Sequence, residues 1–232
     1  MPDSRVRCSA VQSPSMAHLP HRLSGLYLIL DPSVRPDRPL RNVLTAAATG
    51  GVKLFQYRNK TSAMKDAYAE AMPLRNTARE LGVLFIVNDR CDLAMAIDAD
   101  GVHLGQDDLP YTDARKLLGP HKVIGLSTHR VGQVKAASQL QPDYLGFGPI
   151  FKPTSKLNHD PVVGIEGLKE IRPLTGIPIF AIGGIGLDQV RPVMQAGANG
   201  VAVISAALDV PDVTEAVQKL IGQMSRQASP GA

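Results

Sequence analysis

Several short segments of this 232-residue chain combine side chains suited to binding anions or hard cations. Gln56-Tyr57-Arg58-Asn59-Lys60 sets an amide and two cations at alternate positions, so an extended backbone turns all three to one face. Arg grips phosphate oxygens through paired N–H bonds, and Lys adds a point charge. The ordinary alternative is a solvated basic turn. Asn88-Asp89 and Gln106-Asp107-Asp108 supply hard oxygen donors, and one or two carboxylates completed by water and phosphate oxygens make the usual Mg2+ shell. The competing readings are a helix N-cap for Asp89, ahead of Cys91-Asp92-Leu93, and a polar turn before Pro110 for Asp107 and Asp108.

Ser127-Thr128-His129 is a second polar group. Ser127 either donates to a phosphate or caps the next helix. His129 could be catalytic, but an inert loop histidine is the commoner case. His103 sits inside a strand pattern and reads as a packed histidine rather than a ligand; His159 lies in a loop and carries no signal. The stretch from Gly148 through Lys156 to Gly164 is long enough for a lid or binding loop, and Lys156 there could bring a charge over a bound anion. Gly183-Gly184-Ile185 and Ile204-Ser205 suit a phosphate cradle, because glycine lets backbone N–H groups approach oxygens closely. Two ordinary tight turns are the alternative.

The elements that must position these residues alternate regularly. Short apolar runs at 26–30, 52–57, 83–87, 101–104, 122–125, 143–146, 178–181 and 200–203 read as strands. Helical patterns at 40–49, 62–81, 91–97, 112–118, 130–140, 165–172, 187–196 and 213–223 separate or follow them, with Ser62 and Thr112 as N-caps. Eight βα units in succession predict a single-domain (β/α)8 TIM barrel over 21–225. An open doubly wound sheet is disfavoured, because the first βα turn is Asp31-Pro32-Ser33 and carries no GxGxxG. In a barrel the active site forms at the C-terminal strand ends, and the polar groups above all fall there. Residues 1–20 read as a disordered extension, with Met16 an alternative start, and 226–232 as a frayed tail.

Composition narrows the function classes. A net charge of +4 is spread without a Lys/Arg cluster, and aromatics make up 4% with no Trp, so neither a nucleic-acid stripe nor a base-stacking platform is expected. Cys8 and Cys91 form no metal-ligand pattern and fit a reducing cytoplasm. No apolar run reaches the ~18 residues of a membrane helix. The expected partners are small molecules, and the oligomeric state is left open, a homo-oligomer included.

Taken together, these segments resemble the thiamine-phosphate synthases. The resemblance runs over about residues 24 to 208. It is carried by 51–60, by Phe85-Ile86-Val87-Asn88-Asp89-Arg90, by Gly125-Leu126-Ser127-Thr128-His129 and by the stretches 146–151, 181–185 and 197–205. Its most distinctive part is Asp100-Gly101-Val102-His103-Leu104-Gly105-Gln106-Asp107-Asp108. The resemblance implies that hydroxymethylpyrimidine diphosphate is joined to hydroxyethylthiazole phosphate, giving thiamine phosphate and diphosphate through a dissociative pyrimidine-cation step. It implies that Arg58, Lys60, Asn88 and Lys156 hold the diphosphate and that Asp89 and Asp108 hold Mg2+. It also implies that Gln56 contacts the pyrimidine, that Ser127 lies between the substrates, and that Gly184, Ile204 and Ser205 receive the thiazole phosphate. Arg58, Ser127 and Lys156 are then the residues nearest the chemistry. One departure stands out: where the family has Pro-Thr-x-Thr-Lys, this chain has Lys152-Pro153-Thr154-Ser155-Lys156. Pro153 lacks the first hydroxyl, which leaves that phosphate contact to Thr154, while Ser155 keeps the second.

Two rivals remain at this point. A thiazole tautomerase on the same barrel would use a general acid/base such as His129 and no metal, and the set Asn88, Asp89, Asp108 and Lys156 speaks against it. A non-catalytic sensor of phosphate ligands would bind without turnover.

Overall fold

A computed structural model describes residues 23–152 and 160–224. The predicted extension at 1–20 and tail at 226–232 lie outside the described residues. Eight strands, β1 (Gly25–Leu30), β2 (Leu54–Tyr57), β3 (Leu84–Asn88), β4 (Gly101–Leu104), β5 (Val123–Thr128), β6 (Tyr144–Phe147), β7 (Ile179–Ile182) and β8 (Gly200–Val203), pair in parallel with their sequence neighbours. β8 closes on β1 through Gly200 opposite Gly25, which makes the single-domain (β/α)8 TIM barrel that the alternation predicts.

Helices α1 (Leu40–Thr49), α2 (Met64–Glu80), α3 (Cys91–Ala96), α4 (Tyr111–Leu118), α5 (Val131–Leu140), α6 (Gly164–Ile171) and α7 (Leu187–Gln195) follow the first seven strands. A four-residue α8 (Ser205–Leu208) and then α9 (Val213–Met224) follow β8. Each helix buries an apolar stripe against the outward faces of the strands, among residues such as Leu28, Phe55, Phe85, Val102, Ile124, Leu145, Ile179 and Val201. α8 has no counterpart in the sequence reading, because four residues are too few to show a helical period.

Both predicted caps are corrected. α2 begins at Met64 with Ala63 as N-cap, and α4 begins at Tyr111 with Pro110 as N-cap, neither with a side-chain cap bond. The Ser62 N–H is instead taken by Asn59 Oδ1 at 3.1 Å, so the chain is still turning there. β5 also runs three residues past its predicted end. Ser127 pairs in register with Gly146 and Thr128 with Phe147, and the buried Thr128 hydroxyl donates to Gly146 O at 3.0 Å.

Inside the barrel the alternate residues form a second apolar cluster, including Tyr27, Ile86, Val123, Tyr144 and Phe180. Three of its rings meet edge to face: Tyr27–Tyr144 at 5.7 Å, Tyr27–Phe180 at 5.2 Å and Tyr144–Phe180 at 5.4 Å between centroids. Glycine makes the room. A Cβ on Gly125 would fall 2.5 Å from both Cε atoms of Tyr144, and one on Gly200 would fall 2.6 Å from Phe180 Cε1. Tyr144 on β6 therefore crosses over β5 to reach His103 on β4, stacking on it at 5.4 Å.

The opposite, N-terminal end is tied by a device used three times. Asp100, Asp143 and Asn199 each precede a strand and accept the backbone N–H of the strand before it, from Phe85 at 2.8 Å, Ile124 at 2.8 Å and Ile179 at 2.9 Å. An arginine holds each acceptor: Arg75 on Asp100, Arg115 on Asp143 at 2.8 Å, and Arg172 on Asn199 at 3.0 Å. Every tie lies at the end of the barrel that carries stability in this architecture rather than chemistry.

Candidate active site

The C-terminal mouth gathers the polar strand ends. Gln56, Arg58, Asn88, His103, Ser127 and Ile204 line one cavity of about 500 Å³, open mouth included. Gln56 is buried, and its amide Nε2 donates to the Tyr27 hydroxyl at 2.8 Å. Arg58 lies just past β2 and is held by the Asp31 carboxylate, whose other oxygen accepts from the Ser33 N–H at 3.0 Å and the Ser33 hydroxyl at 2.6 Å. Asp31 is only 4% exposed, so this buried pair fixes where the guanidinium points. The sequence reading passed over Asp31; its signal was an acidic residue at the end of a buried strand, beside a basic strand end.

Lys60 reaches across to Asp89, Nζ to Oδ2 at 3.0 Å. The loop that carries it is shaped by Asn59, whose Oδ1 accepts backbone N–H bonds from Thr61 and Ser62. Asn59 Nδ2 and the Tyr57 hydroxyl both donate to Glu70 Oε2 on α2. The basic segment is thus a built loop, not a free solvated turn.

Asp89 takes a left-handed backbone with φ of 63°, which Asp tolerates better than most residues, and its N–H bonds to His103 O at 2.8 Å. The helix N-cap position belongs to Arg90, so Asp89 is no cap. Its carboxylate is in hydrogen-bonding reach of Asp108. Asp108 Oδ2 accepts the Gly105 N–H at 2.6 Å. Desolvation first, and then the neighbouring Asp89, push the Asp108 carboxyl above the usual range. Two like charges placed together call for a cation. Among the described residues no group of three or more His, Cys, Asp or Glu side chains could hold a metal. A cation here would rest on two carboxylates plus water and substrate oxygens, the arrangement Mg2+ favours over most metals. Asp107 is exposed.

Ser127 is a strand residue and caps nothing. Its hydroxyl lies 2.9 Å from His103 Nε2, and its carbonyl accepts from Gln106 Nε2 at 2.5 Å. His103 is buried, as a packed histidine would be, yet both ring nitrogens are engaged, the other by the Tyr144 hydroxyl at 3.0 Å. His129 donates Nδ1–H to Gly148 O at 2.6 Å and sets Nε2 3.5 Å from Asp160, a position that ties strand β5 to the flanks of the next loop.

After β6 the backbone continues beside β7, with Ile150 N–H bonded to Ile182 O and Phe151 N–H to Gly183 O. Gly184, at φ of 62°, is exposed, and a Cβ there would fall 2.6 Å from Lys152 O. Ile204 is the N-cap of α8 and Ser205 its first residue. Thr154, Ser155 and Lys156 lie outside the described residues.

The family model for thiamine monophosphate synthase matches residues 26–207. A thiamine-phosphate synthase of Chloroflexus aurantiacus is 45% identical over 195 residues, 84% of this chain and 90% of that protein. One from Syntrophomonas wolfei is 41% identical over 84% of this chain and 94% of its own. Among solved structures, a thiamine phosphate pyrophosphorylase from Pyrococcus furiosus superposes with a TM-score of 0.79 at 35% identity, covering 88% of this chain and 96% of that one. A geranylgeranylglyceryl phosphate synthase from Thermoplasma acidophilum, at 14% identity and a TM-score of 0.67, shares the fold alone.

Proposed function

Because this chain belongs to the thiamine monophosphate synthase family, we propose that it joins hydroxymethylpyrimidine diphosphate to hydroxyethylthiazole phosphate. The observation that carries this reading is the meeting of Arg58, Lys60, Asn88, Asp89 and Asp108 at one mouth, above a cavity floored by Gln56 and Ser127. Anion-binding groups and a carboxylate pair stand beside a cavity lined in part by apolar side chains, Ile29, Phe180 and Ile182 among them.

In this scheme Arg58, Lys60 and Asn88 bind the diphosphate, and Arg58 is kept in place by Asp31. Lys156, from the loop after β6, adds a further cation. Asp89 and Asp108 would hold Mg2+, which when bound neutralises charge on the departing diphosphate. Lys60 then exchanges its pairing with Asp89 for phosphate oxygens. Gln56 holds the aminopyrimidine in this cavity. As the methylene C–O bond breaks, its electron pair leaves with the diphosphate, and the electron-rich ring carries the resulting cation. The thiazole nitrogen donates its lone pair to that methylene carbon, beside Ser127. Backbone N–H groups near Gly184, Ile204 and Ser205 receive the thiazole phosphate, where the β7 and β8 loops of such barrels commonly bind phosphate, with Thr154 and Ser155 as hydroxyl donors. No protein nucleophile is needed, and keeping water from the cation is the main demand on the site. We place this reaction in the cytoplasm, on free small molecules.

The test is incubation with both substrates, with and without Mg2+, and detection of thiamine phosphate and released diphosphate. Lys156→Ala and Asp89→Ala should each slow product formation by about a hundredfold or more, with the fold retained. Near-normal turnover in either variant removes that residue from the scheme, and no product from the wild type rejects the scheme itself.

A further inference from the structure

The two basic residues past β2 are held in different ways. Arg58 is anchored by Asp31, which is buried and takes two further bonds from Ser33. Lys60 pairs only at its tip, Nζ to Asp89 Oδ2 at 3.0 Å, and its side chain is 53% exposed. Its charge also acts on Asp108, the other member of the carboxylate pair. Lys60 and Arg58 both line an open cleft of about 790 Å³, bordered by Asp31 and Ser33 on one side and by Thr61 and Ser62 on the other. The flexible stem of Lys60 therefore has room to turn. The backbone beneath it does not move with it, because Asn59 Oδ1 accepts the N–H groups of Thr61 and Ser62 while Asn59 Nδ2 donates to Glu70 at 3.1 Å. One cation is fixed, and the other is free to change partner.

The pairing has a consequence for both expected ligands. An ammonium and a divalent cation on the same Asp89 oxygen meet as like charges, so a cation arriving alone must displace Lys60. A diphosphate arriving alone finds Lys60 already committed to Asp89. A diphosphate that draws Lys60 onto its own oxygens leaves Asp89 to the cation, and a cation on Asp89 releases Lys60 to the diphosphate. Each ligand strengthens the other, and linkage makes the gain the same in both directions.

We propose that Lys60 is a tethered counter-ion that holds Asp89 in the free protein, so that a divalent cation binds firmly only together with a diphosphate. The proposal rests on the reading of the mouth as a cation and diphosphate site, and its test reads binding rather than turnover. Mn2+ serves as the probe, because it takes the octahedral oxygen shell that Mg2+ takes. Equilibrium dialysis measures it on the protein, with and without inorganic pyrophosphate.

Lys60→Met keeps the stem and deletes the charge. Without pyrophosphate it should bind Mn2+ about tenfold more tightly than wild type, solvent screening at the exposed lysine holding the effect to that order. Without Mn2+ it should bind pyrophosphate about fivefold more weakly, read by calorimetry. The two shifts have opposite signs, whereas a damaged fold weakens both. Lys60→Arg restores the charge and should return Mn2+ binding to within about threefold of wild type. Arg90→Gln is the control for the general field: it removes a neighbouring cation that pairs with Asp92 at 2.7 Å, and should move Mn2+ binding by less than about threefold. The proposal is overturned by a Lys60→Met protein within about twofold of wild type for Mn2+, by an equal gain in Arg90→Gln or Lys60→Arg, or by a wild type that binds Mn2+ equally well with and without pyrophosphate. The expected shifts in a protein that forms no thiamine phosphate uphold the proposal and reject the synthase reading. Product formation by a wild type whose Mn2+ binding is indifferent to Lys60 does the reverse.

Discussion

Replacing Gly125 by Ala tests how tightly the aromatic plug inside the barrel is built. The added Cβ would fall 2.5 Å from both Cε atoms of Tyr144, where carbon contacts ordinarily begin near 3.4 Å, so the ring must withdraw by about an ångström. It has little room, with Phe180 and His103 each at 5.4 Å and Tyr27 at 5.7 Å. A shift of that size stretches the Tyr144 bonds to Tyr27 and His103, now 2.8 and 3.0 Å, past useful length. Overpacking costs ~1–3 kcal/mol. Two buried hydrogen bonds add ~1 kcal/mol each. The expected loss is about 3–5 kcal/mol, and at ~2–4 °C per kcal/mol the melting point falls by roughly 10 °C. Urea unfolding with an unchanged slope would measure it. Gly132→Ala is the control: it lies in α5 with nothing within 4 Å of its built Cβ, and should gain ~1 kcal/mol through helix propensity. A Gly125→Ala loss below about 1 kcal/mol, beside a normal Gly132→Ala, would refute this account of the interior packing.

Two further outcomes separate the ends of the barrel. Asp108→Asn should cut product formation by about a hundredfold or more yet leave the metal-free protein at least as stable as wild type. The sign follows from the raised Asp108 pKa: the folded state holds that proton more tightly than the unfolded chain, so stability falls as pH rises from the ordinary carboxylate range through the raised value, and Asn removes the loss. Denaturant midpoints without Mg2+ at acidic and neutral pH check this, and a less stable variant at neutral pH contradicts it. Asp143→Ala should do the reverse. It strips the Ile124 N–H of its acceptor and frees Arg115, costing about 2 kcal/mol once solvent screening of the ion pair is discounted, with activity per folded molecule unchanged.

The barrel was legible because its evidence is repeated: eight apolar runs, each followed by a helical period, admit few other topologies. Lys60, Asp89 and Asp108 were legible as a group because strand order makes β2, β3 and β4 neighbours, and the structure brings the three side chains together. The starts of α2 and α4 were not legible, whereas those of α1, α3, α7 and α9 fall where the sequence pattern puts them. Ser62 and Thr112 have the residue types of caps, but Asn59 and Pro110 had already settled the local backbone. Asp31 and the Tyr27–Tyr144–His103 chain escaped for a different reason. Their roles depend on partners 27 to 117 residues away, and no local pattern encodes such contacts. Inward alternation in β1 and β6, with Gly125 between β4 and β6, was the only local trace of the chain.

The two ends of this barrel divide opposing demands. The N-terminal end repeats one tie at three strand pairs, each joining a backbone N–H, a side-chain acceptor and an arginine. The mouth does the opposite: it sets Asp89 against Asp108 and leaves the desolvation of Asp108 only partly offset by the Gly105 N–H and Lys60. Such an arrangement destabilises the free protein and gains value only when a cation and an anionic substrate arrive. The interior chain of hydrogen bonds stands between the two. It is largely buried like a structural element, yet its two end residues, Gln56 and Ser127, line the cavity at the mouth. Stability at the base is thus what allows strain at the mouth, and a substitution that relieves the mouth should stabilise the protein by removing what makes it an enzyme.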